Sequence, residues 1–140
     1  MLALDQTILL DEYRDNEITG SYLAYHPKEL ERFTFTTTEP DELVLIMLDI
    51  PFTVNATTSG AINGAVRVYL DKIDSDGLMC NGGQWAVDKL VPMNGRVSHA
   101  KAYKIAEPGE HAIITVMQGS TNNTLVVLRS RRNYQVLSFG

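Results

Sequence analysis

The 140-residue sequence predicts an all-β protein, an antiparallel β-sandwich of jelly-roll-like form with an extended N-terminal arm. From about Thr34 onward, short apolar or alternating runs follow one another without helical periodicity. Gly, Asn, Asp and Pro separate these runs at short intervals, as tight turns between strands require. Because many short strands at this spacing are typical of sandwiches and barrels, residues 33–140 are predicted to form one β-sandwich domain.

Alternation along the predicted strands indicates which side chains face the core. In "AVRVYL", Val66, Val68 and Leu70 would face one side while Arg67 and Tyr69 face the other. The run "LVLIML" does not alternate, which indicates a strand that is covered on both faces. The nine predicted strands are 33–37, 42–50, 52–56, 65–70, 84–90, 96–105, 111–118, 124–129 and 134–139.

Residues 1–32 are predicted to be an N-terminal arm with little regular structure. Their apolar residues keep neither a strand period nor a helix period for long. We expect the arm to pack along a partner or along its own sandwich, and a frayed terminus is the alternative. One helix is predicted at "HPKELERF", where Pro27 suits the first turn. The candidate partner contacts in the arm are Leu4, Ile8, Leu9 and Tyr13.

Composition and charge bear on the environment and the partners of the chain. A single cysteine excludes an internal disulfide, and residues 1–13 lack a secretory pattern, so we expect synthesis in a reducing host cytoplasm. The longest aliphatic run, Leu43 to Leu48, is far shorter than the ~20 residues of a membrane span. A net charge of −5 opposes nucleic-acid binding. We therefore expect neither a membrane nor a nucleic acid as partner.

Charge is unevenly distributed along the chain. The first 50 residues contain eleven acids and three basic residues, whereas the rest contain six acids and nine basic residues. Opposite signs suit a segment that packs on its own or a neighbouring subunit, with chance clustering as the alternative. Arg129, Arg131 and Arg132 are predicted at the loop that joins the last two strands. We expect them to bind carboxylates of a neighbouring subunit, and a solvated hairpin tip is the alternative.

No sequence pattern indicates catalysis or a metal. "DKIDSDGLMCNGG" matches part of a calcium-loop register, but Lys72 and Gly83 occupy the first and last ligand positions, so a turn that contains Cys80 is predicted. The histidines, at positions 26, 99 and 111, share no ligand spacing. We therefore expect that the protein is not an enzyme and has no cofactor. A metal-dependent enzyme of cupin type is the third-ranked alternative. Trp85 is predicted to be a core or subunit-contact residue, or else a sugar-stacking platform.

The strands "GAVRVYL", "GQWAVDKL", "EPGEHAIITVMQG" and "YQVLSFG" together resemble the small jelly-roll modules of tailed-bacteriophage virions, over residues 33–140. These modules include trimeric capsid cement or decoration proteins and tumour-necrosis-factor-like heads of tail appendages. The resemblance implies a virion structural protein, a homotrimer that stabilises the shell through the major capsid protein or another virion protein. The alternative is the receptor- or glycan-binding head of a tail fibre or needle. Its candidate contacts are Tyr69, Trp85, Asn122 and Asn123.

Overall fold

The structure is a computed structural model that describes residues 6–21, 27–58, 61–86, 92–120 and 123–140, and within these ranges it contains strands but no helix. The strands are β1 (Thr7–Arg14), β2 (Ile18–Ser21), β3 (Lys28–Thr37), β4 (Glu42–Ala56), β5 (Ile62–Leu70), β6 (Leu78–Ala86), β7 (Met93–Ile105), β8 (Gly109–Gly119), β9 (Thr124–Leu128) and β10 (Arg132–Ser138).

The strands form two antiparallel sheets. In the large sheet the order is β1-β10-β4-β9-β2, and β7 pairs with β4 on its other side. In the small sheet the order is β3-β8-β5-β6. Strands β9 and β10 lie end to end along β4, and β1 and β2 lie end to end beside them. When each of these pairs is counted as one long strand, the sheet orders become 6-3-8-1 and 2-7-4-5, which is the jelly-roll arrangement.

The core lies between the two sheets and is filled by alternating side chains. On β4, Val44, Ile46 and Ile50 are 0% exposed, because every second residue of the strand points inward. They pack against inward residues of the small sheet such as Val66 and Ile113. Burial of each of these side chains contributes about 1.5–3 kcal/mol before ordering costs.

The prediction of an all-β antiparallel sandwich is confirmed, and each of the nine predicted strands coincides at least in part with an observed strand. The segments 42–50 and 52–56 are one strand, β4, rather than two. Pro51 does not break this strand, because it lies at the gap between β9 and β10. There its carbonyl accepts a hydrogen bond from the Arg129 N–H at 2.8 Å, and no ladder bond requires the missing donor.

The prediction of an N-terminal arm with little regular structure is wrong for the described part of residues 1–32. Strand β1 pairs with β10, β2 pairs with β9, and β3 begins at Lys28, so this region forms an edge of the sandwich. The apolar period was hidden because the register shifts between Ile8 and Leu10, where Leu9 forms a bulge. Leu4 lies outside the described residues.

Two local predictions are also wrong. Within the helix predicted at 26–33, residues 28–33 belong to β3, because Phe33 and Phe35 pack inward with strand spacing while β3 pairs with β8. His26 lies outside the described residues. The predicted turn at 71–83 is shorter than expected, because β6 already begins at Leu78. Cys80 therefore lies in a strand and packs against the core instead of lying in a loop.

Candidate functional site: two outer surfaces of the sandwich

The outer surface of the large sheet is apolar across four strands. Ile8, Leu137, Leu45 and Ala102 lie in register on β1, β10, β4 and β7, and therefore form one row. Ile8 is 64% exposed at the edge of this row. Neighbouring outward positions on the same strands extend the row in both directions. We call this set the apolar face: Ile8, Leu43, Leu45, Met47, Ala100, Ala102, Leu137 and Phe139.

The apolar face corrects the prediction that "LVLIML" is covered on both sides. Leu43 is 43% exposed, and Leu45 and Met47 are half-buried. With rows about 7 Å apart and strands about 4.8 Å apart, each position covers roughly 34 Å², so the eight residues of the apolar face cover roughly 270 Å². This area is slightly below the roughly 300–600 Å² of the largest apolar patch on a typical monomer, and such patches are often functional.

Beyond the apolar face, the same surface becomes polar toward the β9–β10 loop. Here Tyr13 is 55% exposed and lies opposite Asn133. The guanidinium of Arg96 donates to both carboxylate oxygens of Asp49, at 2.8 and 2.9 Å. A broad depression of about 1010 Å³ is lined by these four residues together with Arg129 and Arg131, among others. Three predicted contact residues, Tyr13, Arg129 and Arg131, are thus brought together.

The two edges of the large sheet carry opposite charge. At one edge, β7 contains the exposed residues Arg96, Lys101 and Lys104 and no acidic residue. At the opposite edge, the segment 7–21 contains four acids and one arginine. Part of the uneven charge of the sequence therefore lies at the two opposite edges of one sheet.

The three arginines near the C-terminus have three different environments. Arg131 is exposed in the turn, with a φ of 69°. Arg129 is exposed and forms an ion pair of 3.2 Å with Glu17 of the same chain. Arg132 is 0% exposed at the start of β10, so the prediction that it lies at a hairpin tip and pairs with a neighbouring subunit is wrong. The Arg129–Glu17 pair thus joins the acidic first part of the sequence to the basic last part within one chain.

Arg132 is the centre of a buried polar network. Its Nε and Nη2 atoms donate to the two carboxylate oxygens of Glu31, and Nη1 donates to the carbonyls of Asn16 and Arg129. The hydroxyl of Tyr134 donates to Glu31 at 2.7 Å. Burial, together with the charge of Glu31, raises the pKa of Tyr134. Sequence reasoning missed Glu31, Asn16 and Tyr134, because no local signal links residues so far apart in the chain.

Trp85 is not a core residue, because it is 63% exposed on the outer surface of the small sheet. It lies opposite Asn63 on β5, and the next outward pair is Gly83 with Ala65. A shallow cavity of about 400 Å³ is formed there, lined by Asn63, Gly64, Ala65, Arg67, Gly83, Gln84, Trp85, Gln118, Gly119 and Ser120. Its volume lies within the roughly 300–1,000 Å³ that is common for small-molecule sites.

The other candidate residues for a recognition head are placed differently. Tyr69 is 5% exposed and packs with Ile114 and Val116, so it is not available to a ligand. The side-chain amide of Asn123 donates to the Thr58 hydroxyl at 3.2 Å. Asn122 lies outside the described residues. Leu9 is half-buried against the core, so it is an internal contact of the chain.

The titratable side chains do not form a metal centre in the described part of the chain, where no group of three or more His, Cys, Asp or Glu could hold an ion. His99 and His111 are instead engaged separately, with Tyr103 at 2.6 Å and with Asp71 at 2.7 Å. Burial raises the pKa of the Cys80 thiol to about 11. Across the described ranges, the structure has no helix long and apolar enough to span a membrane.

Comparisons with known proteins give similarities of fold only. No family model and no curated protein matches the chain. Dimeric latent PorU from Porphyromonas gingivalis is similar over 97% of this chain and 13% of its own, with 14% identity and a TM-score of 0.46. Eiger TNF from S. frugiperda is similar over 93% of this chain and 90% of its own, with 8% identity and a TM-score of 0.40.

A structure of infectious bursal disease virus, Gx strain, is similar over 96% of this chain and 36% of that chain, with 13% identity and a TM-score of 0.45. This chain thus spans a small part of the PorU and virus chains. A TNF and a virus structure are among the similar structures, and the bacteriophage assignment stays a prediction. These identities and TM-scores carry no argument about function, and the jelly-roll assignment rests on the strand order.

Proposed function

We propose that the chain is a non-enzymatic structural protein of a virion, a capsid cement or decoration protein that acts as a homotrimer bound to the major capsid protein or another virion protein. The observation that carries the assembly part of this proposal is the apolar face, flanked by sheet edges of opposite charge. The occupant we propose for the apolar face is a second copy of the chain.

The composition of the outer surface of the large sheet supports self-association. Its centre is apolar, and its margin carries Tyr13, Arg96 and Arg131, which matches the aromatic and arginine enrichment of protein interfaces. The apolar face by itself covers roughly 270 Å². Including the polar rows toward the β9–β10 loop, the surface approaches the roughly 800 Å² that a standard interface buries on each partner.

The charge of the two edges supports a head-to-tail contact rather than a two-fold one. The basic edge strand β7 of one copy would meet the acidic edge at β1 of the next copy. Such heterologous contacts generate a closed ring when the rotation between copies closes. The ring size of three and the location in a virion come from the resemblance of residues 33–140 to phage jelly-roll modules.

The receptor- or glycan-binding head of a tail fibre or needle is the second candidate function. The exposure of Trp85 favours it, because a recognition head needs an exposed aromatic residue on a polar surface. The apolar face is compatible with this candidate also, since a trimeric head requires the same kind of subunit contact.

Light scattering after size-exclusion chromatography tests the assembly. We expect the full chain to elute with three times the mass of its 15.6 kDa monomer, and Leu45→Glu to elute as a monomer. The matched control is Ile73→Glu, because Ile73 is 44% exposed but lies in the β5–β6 loop, away from the apolar face. A monomeric full chain, or an unchanged mass of the Leu45→Glu variant, would contradict the proposal.

Charge reversal tests the head-to-tail contact separately. Lys101→Glu with Lys104→Glu would make both edges acidic, and Asp11→Lys with Asp15→Lys would make both edges basic, so we expect each double variant to dissociate. All four substitutions in one chain restore edges of opposite sign, and we expect the trimer to return. A trimer that persists in both double variants would overturn the head-to-tail arrangement.

A further inference from the structure

We propose that the outer surface of the small sheet around Trp85 is a carbohydrate-binding site, in which the indole stacks on a sugar ring and Arg67 binds the carboxylate of an acidic sugar. We call it the Trp85 platform: Asn63, Ala65, Arg67, Gly83, Trp85 and Gln118. The platform lies on the opposite sheet from the apolar face, so it does not depend on the proposed trimer.

Strand pairing places these residues around a shallow central area of the sheet surface, formed by Gly83 and Ala65, which we call the floor. Gly83 on β6 lies opposite Ala65 on β5, and Ala65 lies opposite Gln118 on β8. Trp85 is two residues beyond Gly83 at one end, and Arg67 is two residues beyond Ala65 at the other. Since residues two apart on a strand are about 7 Å apart and face the same side, the floor separates the indole from the guanidinium.

The floor is low because Gly83 has no side chain, and the fold does not require that glycine. A Cβ atom at Gly83 would have only ordinary neighbours, the Gly64 carbonyl oxygen at 3.5 Å and the Ala65 Cβ at 3.9 Å. The adjacent Gly82 differs, since its Cβ would lie 3.0 Å from the Arg96 carbonyl oxygen. A strand-interior glycine that packing does not require is typical of a place where a ligand approaches the backbone.

The walls of the platform supply polar groups that the described part of the chain leaves unused. The side chains of Asn63, Arg67 and Gln118 have no hydrogen bond or ion pair with any described residue. Amide and guanidinium groups match sugar hydroxyls, which both donate and accept hydrogen bonds. The electron-rich face of an indole attracts the C–H groups on one face of a pyranose ring. The guanidinium of Arg67 can bind a carboxylate through two parallel hydrogen bonds.

Carbohydrate fits this surface better than nucleic acid or an apolar protein partner. Arg67 is the one cation among the residues that line the cavity, whereas nucleic-acid binding depends on several phosphate contacts. An apolar partner would bury unpaired amides of Asn63 and Gln118, at a cost in free energy.

Trp85 is the one tryptophan of the chain, so its fluorescence reports on this site alone. The full chain is titrated with tetrasaccharides of alternating uronic acid and N-acetylhexosamine, with neutral tetrasaccharides of glucose, and with a ten-nucleotide oligothymidylate. We expect the acidic tetrasaccharide to shift the emission to shorter wavelength and to protect the indole from acrylamide quenching, with saturation. No saturable change with either sugar, tighter binding of the neutral sugar, or tighter binding of the oligonucleotide would overturn the proposal.

Gly83→Val fills the floor but keeps the fluorescent reporter, and we expect it to abolish saturable binding. Its matched control is Thr34→Val, which places the same side chain on an exposed outward position of β3 in the same sheet. Arg67→Gln should weaken binding of the acidic tetrasaccharide by about tenfold, because one charge-assisted pair is lost. Retained binding in Gly83→Val, or unchanged binding of the acidic sugar in Arg67→Gln, would contradict the site.

Solution mass separates this test from that of the proposed function. A monomeric chain that binds the acidic tetrasaccharide would support the platform and remove the trimer. A trimer that binds no sugar would support the assembly and remove the platform.

Discussion

The carboxylate of Glu31 and the guanidinium of Arg132 are 101 residues apart in the chain and form two parallel hydrogen bonds of 2.9 and 2.8 Å. Glu31 belongs to the small sheet and Arg132 to the large sheet, so the pair joins the two layers of the sandwich. Arg132 also donates to the carbonyls of Asn16 and Arg129, which lie at the gap between β1 and β2 and at the gap between β9 and β10. The fully buried guanidinium therefore satisfies backbone groups that the interrupted ladders leave without strand partners.

Substitution of one partner of this pair should destabilise the fold strongly. We expect Arg132→Met or Glu31→Gln to lower the free energy of unfolding by about 3–5 kcal/mol, because the remaining group stays buried without its partner. The double substitution Glu31→Leu with Arg132→Met should cost less than the sum of the single ones. Urea denaturation followed by circular dichroism measures all three values.

The exposed pair of Arg129 and Glu17 is the control for that measurement. Their side chains are 47% and 55% exposed, so water screens the interaction. We expect Arg129→Gln to change the free energy of unfolding by less than about 1 kcal/mol. Equal losses for Arg129→Gln and Arg132→Met would contradict a special role for the buried arginine.

Gly95 should not tolerate a side chain. Gly95 on β7 pairs with Phe52 on β4, and an added Cβ would overlap the Phe52 ring, which is 1% exposed and cannot move freely. We expect Gly95→Ala to lower the free energy of unfolding by about 1–3 kcal/mol, and with it the melting temperature, because overpacking a core destabilises the fold. The control is Gly83→Ala, where the space is open. A melting temperature of Gly95→Ala equal to that of Gly83→Ala would disprove the overlap.

His111 should make stability depend on pH. Burial by itself lowers its pKa, but hydrogen bonds to Asp71 and to the Glu107 carbonyl and the charge of Asp71 outweigh burial, so the pKa is raised above its ordinary value of 6.5. A raised folded-state pKa contributes stability that is fully present below the unfolded pKa and is lost as pH rises through the folded pKa. The wild type should therefore have a higher free energy of unfolding than His111→Gln, and this difference should be larger at about pH 5 than at about pH 9.

Cys80 should be poorly reactive in the folded protein. Burial raises the pKa of its thiol to about 11, so only about one molecule in a thousand carries the thiolate at pH 8. We expect a thiol-specific maleimide to react on the order of 100-fold more slowly with the folded chain than with the chain in urea. Equal rates in both conditions would show that Cys80 is not held in β6 as described.

Sequence reasoning located the strands where the signal was local. The alternation of Val66 and Val68 is that of a half-buried strand, and both are 0% exposed in β5. It failed for the described part of the first 32 residues, because the bulge at Leu9 breaks the alternation that identifies a strand. It also failed for the run from Leu43 to Leu48, because a non-alternating sequence does not tell whether anything covers the second face.

The candidate sites could be predicted only in part. Tyr13, Arg129 and Arg131, three of the candidate contact residues, line one depression, and Arg129 pairs with Glu17 of its own chain. Their contact with a partner stays a prediction. The Trp85 platform could not be assembled from the sequence, because Arg67 and Gln118 meet the tryptophan only through strand pairing.

The sequence by itself determined the all-β class, the positions of most strands and the uneven charge, because turn residues and two-residue alternation act over a few neighbours in the chain. Only the tertiary structure decided that Arg132 is internal, that Trp85 is exposed, and that the first strands belong to the sandwich. Each of these outcomes depends on partners from distant segments, as Glu31 is for Arg132. Burial and exposure are properties of the packed layers, and no single stretch of the chain contains both sides of such a contact.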